Sequence, residues 1–217
     1  MKIGILVAME KELRAVRAAF GEFSERIHAC QSGFGKVNAA VTASSMIKEA
    51  KVDCIINSGC AGGLSPDVNV LDIVIGAEVS YHDVWCGPPY EIGQMQGLPA
   101  RFAADPSLLE AAKASAAGAI DTTSKVHSGL IVSGDRFCSG KDETDAILAN
   151  FPDALAVDME SAAIAQVCHL MGVPFLSFRV VSDSAYAGDS RLDAYYDFWD
   201  AVTGTSFNFL KHFIDSI

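Results

Sequence analysis

Three carboxylates stand where a strand pattern gives way to a helix pattern: Glu12 in "ILVAMEKE", Glu160 in "ALAVDMESAAIAQVCH" and Asp183 in "SFRVVSD". The second of these stretches is mostly apolar, yet it carries two acids, Asp158 and Glu160, on either side of Met159. Burying a carboxylate costs several kcal/mol unless something pairs with it. Acids that converge at strand ends are suited to general acid–base chemistry, because burial and mutual repulsion push their proton affinities apart. Taken singly, an acid after a strand is more often a helix cap or a solvated loop residue. Arg179 and Asp183 are four apart, which puts both on one face of an extended strand.

The surrounding elements alternate. "KIGILVAM" is a continuous apolar run, as a buried strand would be, and "EKELRAVRAAF" follows at helical spacing with Gly21 to close it. "SGFGK" leads into a helix over "VNAAVTASSMIKEA"; it lacks the full phosphate-loop spacing and reads as a glycine turn. "VDCIINSG" predicts a strand ending in the Gly-rich "GCAGGL", and "VLDIVIGAEVSYHD" a longer one. A helix over "DPSLLEAAKASAAGA" starts at Asp105 and Pro106. Strands over "HSGLIVSGD", "ALAVDM" and "PFLSFRVVSD" alternate with helices over "KDETDAILANF" and "ESAAIAQVCHLM", the latter stopped by Gly172 and Pro174. The tail from Leu192 is helical, with a break expected near Gly204. This alternation predicts a single α/β domain over residues 1–217, with one mixed, largely parallel sheet wrapped by helices. Glu160 then sits at a strand's C-terminal end in a helix's first turn, where open α/β sheets bind ligands and the helix dipole favours a carboxylate.

Composition excludes several functions. The net charge of −11 over 217 residues argues against nucleic acid or an anionic membrane as partner. The apolar run at the N-terminus is too short for a signal peptide or a membrane span. Cysteines 30, 54, 60, 86, 138 and 168 show no C-x-x-C spacing, which points to a reduced, cytoplasmic protein with buried thiols. His82 and Asp83 have no further residues at metal-ligand spacing, so no metal or other cofactor is expected.

The chain resembles the 5′-methylthioadenosine/S-adenosylhomocysteine nucleosidases of the purine nucleoside phosphorylase superfamily nearly end to end. The resemblance is carried in order by "KIGILVAMEKEL", "SGFGKVNAA", "INSGCAGGL", "DIVIGAEVSYHD", "YEIGQ", "GLIVSGDRF", "AVDMESAAIAQVCH" and "FRVVSD". It implies a nucleoside phosphorylase-like, partly barrel-like sheet, and hydrolysis of the bond between adenine N9 and ribose C1′. Asp183 matches the general acid that protonates N7, with Ser182 holding its carboxyl. An ordinary aspartate has a pKa of about 3.9, so the ligand complex must raise its proton affinity. Glu12 matches the base that activates water, and Arg179 an arginine near the water and the acids. Glu160 matches the residue that accepts protons from the ribose 2′- and 3′-hydroxyls.

The resemblance further implies substrate contacts from Met9, Cys60, Ala61 and Gly62. Met159 packs on the ribose or simply fills core. Phe137 stacks on adenine or is an ordinary core residue, and Cys138 binds the adenine edge through its main chain. Cys60 departs from the serine usual in the family; a thiol is larger and a weaker donor. Trp85, Pro88, Pro89 and Tyr90 are candidates for enclosing the 5′ group, partly from a neighbouring subunit of a homodimer, with loop packing as the equal alternative. Tyr195 or Tyr196 takes the place of a lid aromatic. The expected partners are therefore a nucleoside and water. A phosphorylase, a related hydrolase such as one acting on futalosine, and a non-catalytic nucleoside-binding protein are the competing readings.

Overall fold

A computed structural model of the chain describes residues 1–119, 124–185, 191–201 and 205–217. In order, the elements are β1 (Ile3–Val7), α1 (Glu10–Phe20), β2 (Ile27–Gln31), α2 (Lys36–Lys48), β3 (Cys54–Gly63), β4 (Ile73–Tyr81), β5 (Phe102–Ala103) and α3 (Pro106–Ala119). They continue with β6 (Val126–Ser133), α4 (Lys141–Asn150), β7 (Ala154–Asp158), α5 (Ser161–Met171), β8 (Phe175–Ser184), α6 (Arg191–Ala201) and α7 (Thr205–Asp215). The expected punctuation is present. Gly21 and Gly172 end α1 and α5 at positive φ, and Asp105 Oδ1 accepts the N–H groups of Ser107 and Leu108 at the start of α3. The expected break near Gly204 lies outside the described residues.

All eight strands among the described residues join one sheet, in which β3, β7, β6, β4 and β8 form a closed circuit. The pairs β3–β8, β4–β6 and β6–β7 are parallel, while β3–β7 and β4–β8 are antiparallel. β1 and β2 extend the sheet in parallel from β3. The mixed, partly barrel-like sheet anticipated from the resemblance is therefore the architecture found.

The core divides by strand parity. Ile3, Ile5 and Val7 of β1 join Leu13 and Val16 of α1, Leu108 of α3 and Phe213 of α7. Leu6 points the other way, into a cluster with Ala39, Ala43 and Met46 of α2 and Ala162 and Ile164 of α5. Phe178 of β8 stacks on Phe209 of α7 with centroids 5.1 Å apart and planes 8° apart. Burying each such ring contributes about 1.5–3 kcal/mol. That contact seats α7 against the strand carrying Arg179 and Asp183.

Two sequence expectations fail here. The strand "VDCIINSG" does not end at the glycines; β3 continues through Gly63, paired with β8 as far as Ser184. The glycines are not a loop signal but a way of bringing side chains close to a strand. The other failure is β2, "IHACQ", an edge strand that is only partly buried and carries no apolar run.

Candidate active site

Glu12, Glu160 and Asp183 converge. All three line one cavity of about 320 Å³, although each is at least 96% buried, with exposures of 1%, 4% and 2%. That volume lies in the range of about 300–1,000 Å³ typical of small-molecule sites.

Glu12 reaches the cavity from the first turn of α1, and it is also a cap. Its Oε2 accepts the N–H groups of Ala8 at 2.8 Å and Met9 at 3.0 Å. Its Oε1 accepts the Cys60 N–H at 2.9 Å and lies 3.5 Å from the Cys60 thiol. A carboxylate has about four lone-pair sites. Three hold backbone donors, and the fourth faces only a weak S–H donor that a water could replace. Gly59 permits this approach: a Cβ there would lie 2.4 Å from Glu12 Oε1 and 2.8 Å from Arg179 Nη1, at φ +140°. Cys60 is not a ready nucleophile. Burial, and then the Glu12 carboxylate, push its thiol well above the ordinary value, so it stays protonated at neutral pH.

Glu160 occupies the N-cap position of α5. Its Oε1 accepts the Gly35 N–H at 3.0 Å, and its Oε2 lies 3.7 Å from Arg179 Nη2. Gly35 is left-handed at φ +86°, and a Cβ there would lie 2.8 Å from Asp135 Oδ1. The expected benefit of the helix N-terminus is outweighed. Burial, the largest effect, acts with Asp158 and Glu12 against Arg179 and the Gly35 N–H, and the Glu160 carboxyl is pushed up to about 7.

Asp183 comes from the end of β8. Ser182 Oγ lies 2.7 Å from Asp183 Oδ1 and 3.3 Å from the Ala61 carbonyl, and its one proton serves one of them at a time. Val181 pairs with Ala61 and Asp183 with Gly62, leaving Ser182 as an extra residue in the ladder. This irregularity breaks the alternation assumed for Arg179 and Asp183. Asp183 and Ser182 line the cavity, whereas Arg179 is fully buried behind it.

The walls are aromatic and apolar. Met9, Cys60, Ala61, Gly62, Phe137, Cys138, Met159 and Tyr195 all line the cavity. The Phe137 and Tyr195 rings meet edge-on at 5.7 Å, and the Tyr195 hydroxyl lies 3.3 Å from Met9 Sδ. Tyr196 lines the same wall. Trp85 and Tyr90 do not line it. Trp85 is 61% exposed, with its Nε1 donating to the Tyr90 carbonyl at 3.1 Å.

Sequence reasoning missed Phe34 and Arg136, both in the lining. Their loops are tied together: the Lys36 N–H donates to Asp135 Oδ1 at 2.7 Å, and both Lys36 Nζ and the Asp135 N–H bind Asp83. The only available signal was adjacency, since Phe34 lies inside "SGFGK" and Arg136 precedes Phe137.

The phosphorylase superfamily profile matches residues 2–215. A curated 5′-methylthioadenosine/S-adenosylhomocysteine nucleosidase from Anoxybacillus flavithermus is 42% identical over 202 residues, covering 85% of this chain and 86% of the relative. The nucleosidase of Neisseria meningitidis, solved in complex with methylthio-immucillin-A, superposes with a TM-score of 0.89 at 37% identity, over 100% of this chain and 99% of that one. Futalosine hydrolase of Helicobacter pylori gives the same TM-score of 0.89 at 28% identity, over 100% of this chain and 98% of that one. Backbone shape therefore does not separate the two activities, whereas the identities of 42% and 37% are to nucleosidases. The chain belongs to the 5′-methylthioadenosine/S-adenosylhomocysteine nucleosidases of the phosphorylase superfamily.

Proposed function

We propose that this protein hydrolyses the N-glycosidic bond of 5′-methylthioadenosine and S-adenosylhomocysteine, releasing adenine and the thioribose product. The observation that carries this reading is the convergence of Glu12, Glu160 and Asp183 on one cavity. Phe137 stacks on the adenine, and the main chain at Cys138 binds its edge. Asp183, oriented by Ser182, donates a proton to N7 as the N9–C1′ bond breaks and its electron pair passes to the base. Glu160 accepts protons from the ribose hydroxyls, and its charge favours the cationic sugar of the transition state. Glu12 takes a proton from the water that attacks C1′, with Met159 packing against the ribose.

The electrostatics favour water over phosphate as the nucleophile. A phosphorylase must hold a phosphate dianion beneath the sugar with cations or clustered N–H donors. Among the described lining residues the cation is Arg136, which is paired with Glu143 at 2.6 Å. Arg179 is buried against Asp158 at 2.7 Å and does not line the cavity. Asn57, three residues before Cys60, is a neutral amide whose Nδ2 donates to the Leu6 carbonyl. Methylthioadenosine is therefore expected to yield adenine and free methylthioribose in phosphate-free buffer, by chromatography of the products. Millimolar phosphate should not accelerate the reaction or give a 1-phosphate detectable by phosphorus NMR. A phosphate-dependent rate with a sugar 1-phosphate product would move the assignment to the phosphorylases, and preferential cleavage of futalosine would move it to that hydrolase.

The proposal extends to assembly and location. The enzyme acts in the cytoplasm as a homodimer in which Trp85 and Tyr90 help enclose the 5′ group of a substrate held by the neighbouring subunit. Supporting this, Phe34 at the cavity and Val37 and Val41 on α2 are exposed apolar side chains, as is Trp85. No helix among the described residues is long and apolar enough to cross a membrane. Sedimentation velocity at assay concentration should show a dimer, and an active monomer would remove this part of the proposal.

A further inference from the structure

Asp158 has no part in the chemistry described above. Its side chain is 1% exposed, so the little of the residue that meets the cavity is main chain. Its carboxylate is nonetheless held on both oxygens. Oδ1 accepts the Ser133 hydroxyl at 2.5 Å and the N–H groups of Glu160 at 3.3 Å and Ser161 at 3.2 Å. Oδ2 contacts the Ser161 hydroxyl and lies 2.7 Å from Arg179 Nη2.

That same Nη2 atom is 3.7 Å from Glu160 Oε2. It is further held by Asn57 Oδ1 at 2.5 Å and by Ser161 Oγ at 3.1 Å. Two carboxylates thus share one guanidinium nitrogen. The contact to Asp158 is a close ion pair, while the contact to Glu160 is 1 Å longer and correspondingly weaker. We propose that Asp158 is a positioning residue acting through Arg179: by holding the guanidinium, it leaves Glu160 under-compensated and sets the pH below which Glu160 no longer grips the ribose hydroxyls. The proposal rests on the nucleoside-hydrolase reading above.

The charged and titratable groups around Glu160 come from every side of the site. They are Glu12 from α1, Cys60 from β3, Arg136 from the loop before α4, Asp158 from β7, Arg179 and Asp183 from β8, and Tyr195 and Tyr196 from α6. Burial, Asp158 and Glu12 raise the proton affinity of Glu160, and Arg179 lowers it. A midpoint measured for Glu160 therefore reports its whole surroundings. The direction of change is still fixed. Replacing the Asp158 charge removes a repulsion and frees the guanidinium, and both effects favour ionised Glu160.

The test is the pH dependence of binding. The ligand is the 7-deaza analogue of methylthioadenosine, whose base has carbon in place of N7, so binding is read without N7 protonation. Wild type should lose affinity on the acid side with a midpoint near the value of about 7 held by Glu160. Asp158→Asn should move that midpoint down by ~1 pH unit. Ser161→Ala removes a hydroxyl from Asp158 Oδ2, draws the acid further onto Arg179, and should move the midpoint up. Glu160→Gln should abolish the acid-side loss. Thermal melting establishes which variants fold. An unmoved or raised midpoint in folded Asp158→Asn overturns the proposal. If that variant does not fold, an unmoved midpoint in Ser161→Ala does the same, as does an acid-side loss surviving in Glu160→Gln. Wild type that cleaves methylthioadenosine but shows unmoved variant midpoints rejects only the role of Asp158. Wild type that neither binds the analogue nor cleaves methylthioadenosine rejects the functional reading and this proposal together.

Discussion

Asp183→Asn is expected to lower the turnover of methylthioadenosine by at least ~100-fold, the low end for loss of a general acid. Adenine leaves poorly as an anion, so the step needs a transferable proton at N7, and an amide has none to give. Shape is preserved. The Asn oxygen can still accept from Ser182 Oγ, now 2.7 Å from Asp183 Oδ1, so the strand end and the cavity wall should hold. Affinity for a non-hydrolysed analogue should therefore change by less than about tenfold, ~1.4 kcal/mol. Adenine release measures the first quantity and titration calorimetry the second. A variant that keeps most of its turnover removes Asp183 from the acid role. Parallel losses of turnover and affinity would make it a binding residue.

The fold was legible where periodicity and punctuation agreed. Apolar runs marked β1 and β8 because both are buried along their whole length. Glycines placed the ends of α1 and α5 because the chain turns left-handed there. Legibility failed where tertiary contacts override local preference. Glycine weakens an isolated strand, so "GCAGG" reads as a loop; in the folded chain β8 supplies the pairing, and the missing Cβ at Gly59 admits Glu12. β2 was missed because an edge strand needs no apolar run when β1 supplies its register.

The site was legible to a similar depth. Strand-end acids mark a crevice because strand topology puts them there, and the resemblance assigned their roles. Two features lay beyond the linear sequence. The extra residue at Ser182 changes which side chains share a face, and it sends Arg179 behind the cavity rather than beside Asp183. The two acids that flank Met159 have different tasks. Glu160 faces the cavity, while Asp158 is the buried partner of Arg179. Spacing alone could not divide these tasks, because the division depends on where one guanidinium sits.

Glu12→Gln should cost turnover by about 10²–10⁴-fold, and it should cost stability as well. The catalytic loss follows from chemistry: an amide is not a base at neutral pH, so the attacking water keeps its proton. The loss of stability follows from the cap. Three N–H groups, from Ala8, Met9 and Cys60, point at the two carboxylate oxygens. An amide offers one oxygen and an NH₂ group. With its oxygen turned toward Ala8 and Met9, its NH₂ faces the Cys60 N–H and leaves a buried donor unpaired. The opposite flip leaves two. An unsatisfied buried donor costs about 1–3 kcal/mol, so the first arrangement should prevail and lower the urea unfolding midpoint accordingly. The two effects separate by magnitude. A few kcal/mol of stability leaves most molecules folded at assay temperature, which cannot account for a thousandfold fall in turnover. A variant that is destabilised as expected but turns over at the wild-type rate would make Glu12 a cap alone, and water would then have to find its base elsewhere in the cavity.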